Sequence, residues 1–500
     1  QGLTIPSRRD SEGQILVMGQ RLDMNDDSVD TSPQAWQGPV RWLLQQRGVR
    51  IQGTSLQWQD DLRGAPALNL PSIELQIGYR QGWHEVSLAT ALPTNLGESV
   101  ALALRVQGQR RLPEHVDVMG LPWEMTVQAK AVDTPALRPW LDIPAALDRA
   151  WVDLHAQASQ ADAAPSIQMQ LLAQLRDLAV RTEHEERVQL EHAVVELEGS
   201  LSDMQALVQG KASDDVQWAV TMDGLGLRIP DLFAQHVGVD QLKAQGTAHR
   251  DELARLGLNT MMVNVRNADL DAQLSGNWRE DGQFEAGVAD WTGQFQYLNL
   301  AALVNYLPLT VNPLAREWMQ AGLVQGAVTQ GTIRLRGGLD TFPYGLNPED
   351  GQFEVAGALD KGIVDYQPAR PQRLAWPRLE GVQGSIRMHN DNLDILAQQA
   401  RMPIAQQQDI VMRDIQTHIR SLEQGSVSTL EGVSQAPAGS YLALVHQSPL
   451  NDLLDGLLAD SRVMGDWTVP ITLQIPLDNA DDAQVQGLIQ RQLLVADGFG

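Results

Sequence analysis

A chain of 500 residues has length for about two to four ordinary domains, or for one architecture whose core is drawn out along an axis. Its 37 basic and 62 acidic side chains leave a net charge of -25, which repels phosphate backbones and excludes nucleic-acid binding as a main function. With no cysteine there are no disulfides, thiolate nucleophiles or cysteine-ligated metals, and 43% hydrophobic with 20% charged residues excludes wholesale disorder.

The chain opens on Gln1 without a basic and apolar leader, and no stretch approaches the roughly 20 apolar residues that span a bilayer. It is expected to be a portion of something longer, with any anchor or export signal upstream and residues 1–38 as an N-terminal extension. A short helix is expected over 39–46, leading into an alternating segment from Arg50 to Trp58. Strict alternation then marks strands, because successive side chains on a strand point to opposite faces. Ile73, Leu75, Ile77 and Tyr79 alternate with Glu74, Gln76, Gly78 and Arg80; Val100, Leu102, Leu104 and Val106 alternate with Ala101, Ala103, Arg105 and Gln107. Trp123, Met125, Val127 and Ala129 repeat the pattern against Glu124, Thr126, Gln128 and Lys130. A second helix is expected over 138–147, ahead of Val152, Leu154 and Ala156.

Asp-Gly at 223–224, 281–282 and 350–351 and Gly-Gly at 337–338 supply the turns of an antiparallel meander. A third helix is expected over 312–321, with Asn312 as cap and Pro313 in the first turn, ahead of Ile333 and Leu335. Loop-like stretches follow at 366–377, where Pro368, Pro371 and Pro377 crowd together, and at 434–439. The fourth helix is expected over 449–459, with Ser448 as cap and Pro449 behind it, leading to Val469, Ile471, Leu473, Ile475 and Leu477.

A short helix leading into new strands, four times at irregular spacing, is a degenerate internal repeat and points to stacked β units. The divisions are drawn at 39–310, 311–447 and 448–500. The fold class is mainly β: an elongated, curled antiparallel sheet with a few short helices. Too few amphipathic helices exist to cover its apolar face, so the sheet must cover itself as a sandwich, a barrel or a trough. A trough would suit acyl chains, since each methylene in water costs roughly 0.8 kcal/mol. Its lining candidates are Ile73, Leu75, Ile77, Val100, Leu102, Leu104, Val106, Met125, Val127, Ile333, Leu335, Ile471, Leu473 and Ile475.

Reactive chemistry is not signalled. His184 and His192 stand in a charged stretch with Glu183, Glu185, Glu186 and Glu191, without the converging geometry a metal needs. Asp478, Asn479, Asp481 and Asp482 lack the glycine and distal glutamate of a calcium loop. Gly224 and Gly226 alternate with Leu225 and Leu227 and precede no long helix, unlike a phosphate-binding loop. No nucleophile elbow is present, and neither catalytic residues, metal nor cofactor is expected. Trp42, Trp140 and Trp318 are read as packing anchors on the short helices.

Some segments carry a family likeness. Over 39–70 these are Trp42-Leu43-Leu44, Val49-Arg50-Ile51, Leu56-Gln57-Trp58-Gln59-Asp60 and Gly64-Ala65-Pro66-Ala67-Leu68. Over 306–344 they are Tyr306-Leu307-Pro308, Arg316, Trp318, Gly331, Ile333-Arg334-Leu335-Arg336-Gly337 and Phe342-Pro343-Tyr344. Weaker likenesses lie at Trp140-Leu141-Asp142, at Trp376-Pro377-Arg378-Leu379-Glu380 with Gly384-Ser385-Ile386, and from Ser448-Pro449-Leu450 to Leu477. Together they resemble the YhdP family of AsmA-like proteins. The resemblance implies a periplasmic β groove belonging to a protein anchored in the inner membrane of Gram-negative bacteria. It also implies phospholipid as the partner, carriage of phospholipid towards the outer membrane, and a role in envelope integrity. Members are longer and begin with a transmembrane helix, so the anchor and far end are expected to lie outside this chain. The alternatives are an envelope scaffold with a closed β core and no ligand, or a glycan-active enzyme on a β-solenoid.

Overall fold

The computed structural model describes residues 3–22, 41, 44–46, 48–113, 120–161, 166–181, 187–230, 233–307, 309, 311, 313–366, 376–421, 427–453 and 461–476. It divides into two compact units, residues 1–228 with 238–259 and residues 229–237 with 260–500. Both are built from strands, and the fold is mainly β.

In the first unit the alternating segments become β1 (Thr4–Arg9), β2 (Ile15–Val17), β3 (Gln20–Leu22), β4 (Val49–Asp60), β5 (Leu68–Arg80), β6 (Trp83–Ala91) and β7 (Ser99–Gln107). They continue as β8 (Trp123–Asp133), β9 (Leu147–Gln160), β10 (Gln168–Arg181), β11 (Arg187–Ser200), β12 (Ser213–Arg228) and β13 (Val237–Arg250). From β4 to β12 each strand pairs antiparallel with the next. Tight turns set the register: between β5 and β6, Gln81 (φ 49°) and Gly82 (φ 86°) both take the left-handed conformation that a two-residue hairpin needs. β1 departs from sequential pairing: besides its antiparallel contact with β2 it lies parallel to β4.

Asp60, at the end of β4, fastens that parallel contact. Its side chain is 3% exposed and takes both prongs of Arg9, with Nε 3.0 Å from Oδ1, together with the Arg63 amide at 3.1 Å. Burial alone would push the carboxyl up. The Arg9 hydrogen bonds, the Arg63 amide and the two positive charges outweigh it and hold the carboxyl below the usual carboxylate range.

β14 (Leu256–Arg266) precedes the second unit's meander of β15 (Leu270–Arg279), β16 (Val288–Asn299), β17 (Leu323–Gly338), β18 (Gly351–Val364) and β19 (Leu379–His389). It runs on through β20 (Asn392–Met402), β21 (Ile410–Ile419), β22 (Val427–Pro437) and β23 (Asp466–Pro476). Each strand from β15 onward again pairs antiparallel with its successor. Among the described residues neither meander closes into a barrel.

The helices depart from expectation at several points. The segment 39–46 is described only in part, with one helical bond from the Gln45 amide to the Arg41 carbonyl. Over 138–147 there is no α-helix. A 3-10 turn at Pro135–Leu137 is followed by bends, and β9 already starts at Leu147. Pro144 explains this, since in the interior of a helix over 138–147 it lacks the amide donor and its ring clashes with the carbonyl four residues earlier. The helix expected at 312–321 is present as Pro313–Gly322, and that expected at 449–459 is described as Leu450–Leu453. The stretch 434–439 is not a loop: it ends β22 and enters a helix, Ala438–Gln447. A further helix, Leu201–Val208, is capped by Ser200, whose Oγ accepts the Asp203 amide at 3.0 Å.

Candidate functional site

Directly opposed residues of an antiparallel pair share a face, so the registers define ranks running across the strands. In the first unit one rank is apolar from end to end: Ile51, Leu75, Leu88, Leu102, Val127, Ala156, Leu171, Leu197 and Trp218. It crosses every strand from β4 to β12, a path of about 38 Å at the usual interstrand spacing of about 4.8 Å. None of the nine is buried, and Leu88 is 41% exposed. The rank two residues along, on the same face, runs Val100, Ala129, Leu154, Ala173, Val195 and Val220, each half-buried.

The opposite face is wet. Its corresponding rank reads Gln76, Ser87, Ala103, Thr126, Gln157, Gln170, Glu198 and Gln217. Cross-strand ion pairs lace it, including Arg105 with Glu124 at 3.3 Å, Arg176 with Asp153 at 3.0 Å and Arg149 with Asp177 at 3.1 Å. The sheet therefore has one oily side whose middle is left uncovered.

That oily side is sealed at one rim. Leu44, just before β4, and Leu112, beyond β7, close over Ile77, Val86 and Val106 in a small buried cluster. His84 pins this cap: its Nδ1 is 2.7 Å from the Leu44 carbonyl and its Nε2 is 2.9 Å from the Gln109 carbonyl. Tyr79 meets the His84 ring edge-on at 4.9 Å and donates its hydroxyl to the Gly108 carbonyl at 3.2 Å. At the opposite rim the β4–β5 turn reaches the β8–β9 loop. Arg63 holds both oxygens of Asp142 at 2.8 Å, and the Trp140 indole donates to the Pro66 carbonyl at 3.1 Å.

The second unit repeats the arrangement with a deeper core. Leu274, Gly293, Ile333, Val355, Met388 and Leu393 form a half-buried rank that ends on buried Ile419. Leu335 lies beside it, between Trp291 and Phe353. Elsewhere the same face is packed: Phe295, Leu300, Val328, Leu359, Ala397 and Ile415 belong to one buried cluster, with Tyr441 and Leu444 of the helix Ala438–Gln447 against it. Phe295 covers Gly331 so closely that an added Cβ would stand 1.9 Å from its ring.

The fourteen lining candidates thus fall into groups. Leu75, Val100, Leu102, Leu104, Met125 and Val127 share the oily face of the first unit and are half-buried, as are Ile333 and Leu335 in the second. Ile73, Ile77 and Val106 lie on the same face but are buried, the last two beneath Leu44 and Leu112. Ile471 packs against the core cluster of the second unit. Leu473 and Ile475 stand opposite Leu430 and Ser428, with side chains outside the described residues. Sequence reading did not reach Leu88, Leu171, Leu197 or Trp218, although their own strands alternate.

Reactive groups do not converge. Among the described residues no three potential metal ligands cluster. His192 lies 3.8 Å from Asp223, while His184 and the 478–482 turn fall outside the described residues. Trp140 sits in the bend after Pro139 rather than on a helix, Trp318 donates to the Tyr366 carbonyl at 3.2 Å, and Trp42 is outside the described set. An open pocket of about 410 Å³ on β15–β18 is lined by Arg279, Asp290, Arg336, Glu349 and Asp350, charges of both signs. Arg334 and Arg336 both reach Asp290 there, at 2.9 and 3.7 Å.

A family model described as YhdP protein matches residues 152–492. This covers the likenesses at 306–344 and 376–386 and leaves that at 39–70 outside the matched part. No curated protein and no solved structure matches the chain.

Proposed function

Because the chain belongs to the YhdP family of AsmA-like envelope proteins of Gram-negative bacteria, we propose that its uncovered apolar ranks shield acyl chains. In this reading the chain is a periplasmic segment of an inner-membrane-anchored protein that carries phospholipid between the two membranes and thereby maintains the outer membrane. No helix among the described residues is long and apolar enough to cross a membrane.

The observation that carries the reading is the rank from Ile51 to Trp218, apolar across nine strands and nowhere buried. Apolar surface facing water is unfavourable by about 25 cal/mol per Å², so a rank this long gains stability from an aliphatic guest. The guest gains as well, since a chain of about sixteen carbons faces on the order of 12 kcal/mol in water. Sliding along such a wall makes and breaks no covalent bond, and transport in this form needs no catalytic residue.

The second reading, an envelope scaffold with a closed core, draws on the packed cluster around Phe295 and Ile415. Photocrosslinking separates the two. A photoreactive residue at Leu102, Val127 or Leu171 is expected to capture phospholipid in cells, and one at Gln128 or Glu196 on the wet face is not. Capture from neither face, or equally from both, would favour the scaffold.

A further inference from the structure

The arginines of the first unit are unevenly placed. Segments 41–59, 75–83 and 106–113 together carry Arg41, Arg47, Arg50, Arg80, Arg110 and Arg111 and not one carboxylate, in a chain whose net charge is -25. Most arginines elsewhere on the sheet are engaged by acids, as Arg105, Arg149, Arg176 and Arg181 are. Arg50, Arg80, Arg110 and Arg111 are exposed, and no carboxylate among the described residues pairs with them. At the opposite rim the basic side chains are matched by acids: Arg63 holds Asp142 at 2.8 Å, Lys130 holds Glu98 at 2.7 Å and Arg8 meets Asp61.

These arginines lie on elements knitted together. Arg50 stands opposite Gln76 and Arg80 opposite Trp83, which puts the two about 14 Å apart along β5 at about 3.4 Å per residue. The Gly108 amide donates to the Gly82 carbonyl at 3.0 Å, bringing the segment of Arg110 and Arg111 against the turn that follows Arg80. Gln45 donates to the Leu112 carbonyl at 3.3 Å, joining the segment of Arg41 to the same group. Two of these segments are the ones whose Leu44 and Leu112 seal the rim of the oily face.

We infer that this arginine-bearing cap is a docking site for an anionic lipid surface. Four guanidiniums without a carboxylate partner among the described residues match a plane of phosphates, and the negative charge of the rest of the chain disfavours close approach elsewhere. The choice of lipid over other polyanions rests on the acyl-groove reading. A phospholipid offers phosphate to the arginines and an aliphatic chain to the face that Leu44 and Leu112 cover, whereas a nucleic acid or an acidic protein offers only the charge.

Flotation of the full chain with vesicles of phosphatidylcholine alone, or mixed with phosphatidylglycerol, tests the assignment. The wild type is expected to float with the mixed vesicles only, and to be released by salt. Each of Arg50→Gln, Arg80→Gln, Arg110→Gln and Arg111→Gln should lower partitioning about fivefold, with losses accumulating in the combined variant. The control pair Arg187→Gln with Arg228→Gln, equally exposed elsewhere on the unit, should float as the wild type does. A wild type that ignores phosphatidylglycerol, or a fourfold variant that floats undiminished, overturns the docking site. Acyl crosslinking at Leu102, scored on the same proteins, keeps the two readings apart. Crosslinking without flotation removes the docking site alone, and arginine-dependent flotation without crosslinking removes the groove alone.

Discussion

Arg63 and Asp142, 79 residues apart, meet as a two-pronged pair with both N–O distances at 2.8 Å. Arg63 belongs to the β4–β5 turn and Asp142 to the β8–β9 loop, so the pair spans the β6–β7 turn between them. The Arg63 hydrogen bonds and charge hold the Asp142 carboxyl below the usual carboxylate range, and Asp142 in turn raises Arg63. A carboxyl lowered in this way supports the tie above its ordinary value and releases it as pH falls through the lowered one. Protection of the 134–146 loop amides, taken relative to their intrinsic exchange rate at each pH, is therefore expected to fall below about pH 4, and in high salt at neutral pH, because Asp142 is exposed. Arg63→Asp and Asp142→Arg should each mimic the acid effect, with the double exchange restoring protection.

Leu102 and Ile77 share a face and differ in cover. Leu102→Asp is expected to abolish acyl crosslinking while leaving circular dichroism unchanged, because a half-exposed carboxylate keeps its water. Ile77→Asp places the charge beneath Leu44 and Leu112 and is expected to unfold the first unit outright. Ile333→Asp in the second unit should behave as Leu102→Asp does. Loss of folded signal in both half-exposed variants would show the ranks to be sealed.

His84→Phe keeps most of the ring volume and removes both polar contacts of the cap. Each abandoned carbonyl costs about 1–3 kcal/mol where it stays dry. The expected result is faster amide exchange at 44–46 and 108–113, with β9 to β12 unaffected. Unchanged exchange at both segments would mean that the cap is held by Leu44 and Leu112 alone.

Asp60→Asn breaks the fastening of β1. With the carboxyl held low by Arg9, the stabilisation is complete above the ordinary carboxylate range and disappears as pH drops through the lowered value. Proteolysis within residues 3–22 of the wild type is expected to rise sharply below about pH 4. Asp60→Asn should show that susceptibility already at neutral pH.

Gly331→Ala drives a methyl group into the Phe295 ring. The overpacked site is expected to cost about 1–3 kcal/mol, read as a lowered denaturation midpoint. Phe295→Leu, which withdraws the ring, should make the alanine tolerable. Equal sensitivity in the two backgrounds would contradict the contact.

Period two was legible wherever one side of a strand is wet, which is why Leu75, Leu102 and Val127 stood out. Their alignment with Leu88, Leu171, Leu197 and Trp218 was not, because register depends on turn lengths and on bulges such as the one between Ala129 and Val132. The cap was also hidden: Leu44 and Leu112 come from segments outside the strands, 68 residues apart, joined by a histidine whose role shows only in three dimensions. The helix Leu201–Val208 carries its signal in the sequence, with Ser200 and Asp203 at capping spacing. Over 138–147 the interior Pro144 is the sequence signal against a helix.

The sequential pairing from β4 to β12 also bears on how the molecule is made. Each of these strands finds its partners in the segments emitted just before and just after it, so contact order is low and loop closure is inexpensive at every step. A chain emerging from its N-terminal end can lay down this sheet hairpin by hairpin, without holding a sticky segment in reserve. For its contact with β4, β1 must wait until Asp60 emerges 51 positions behind Arg9 to receive it.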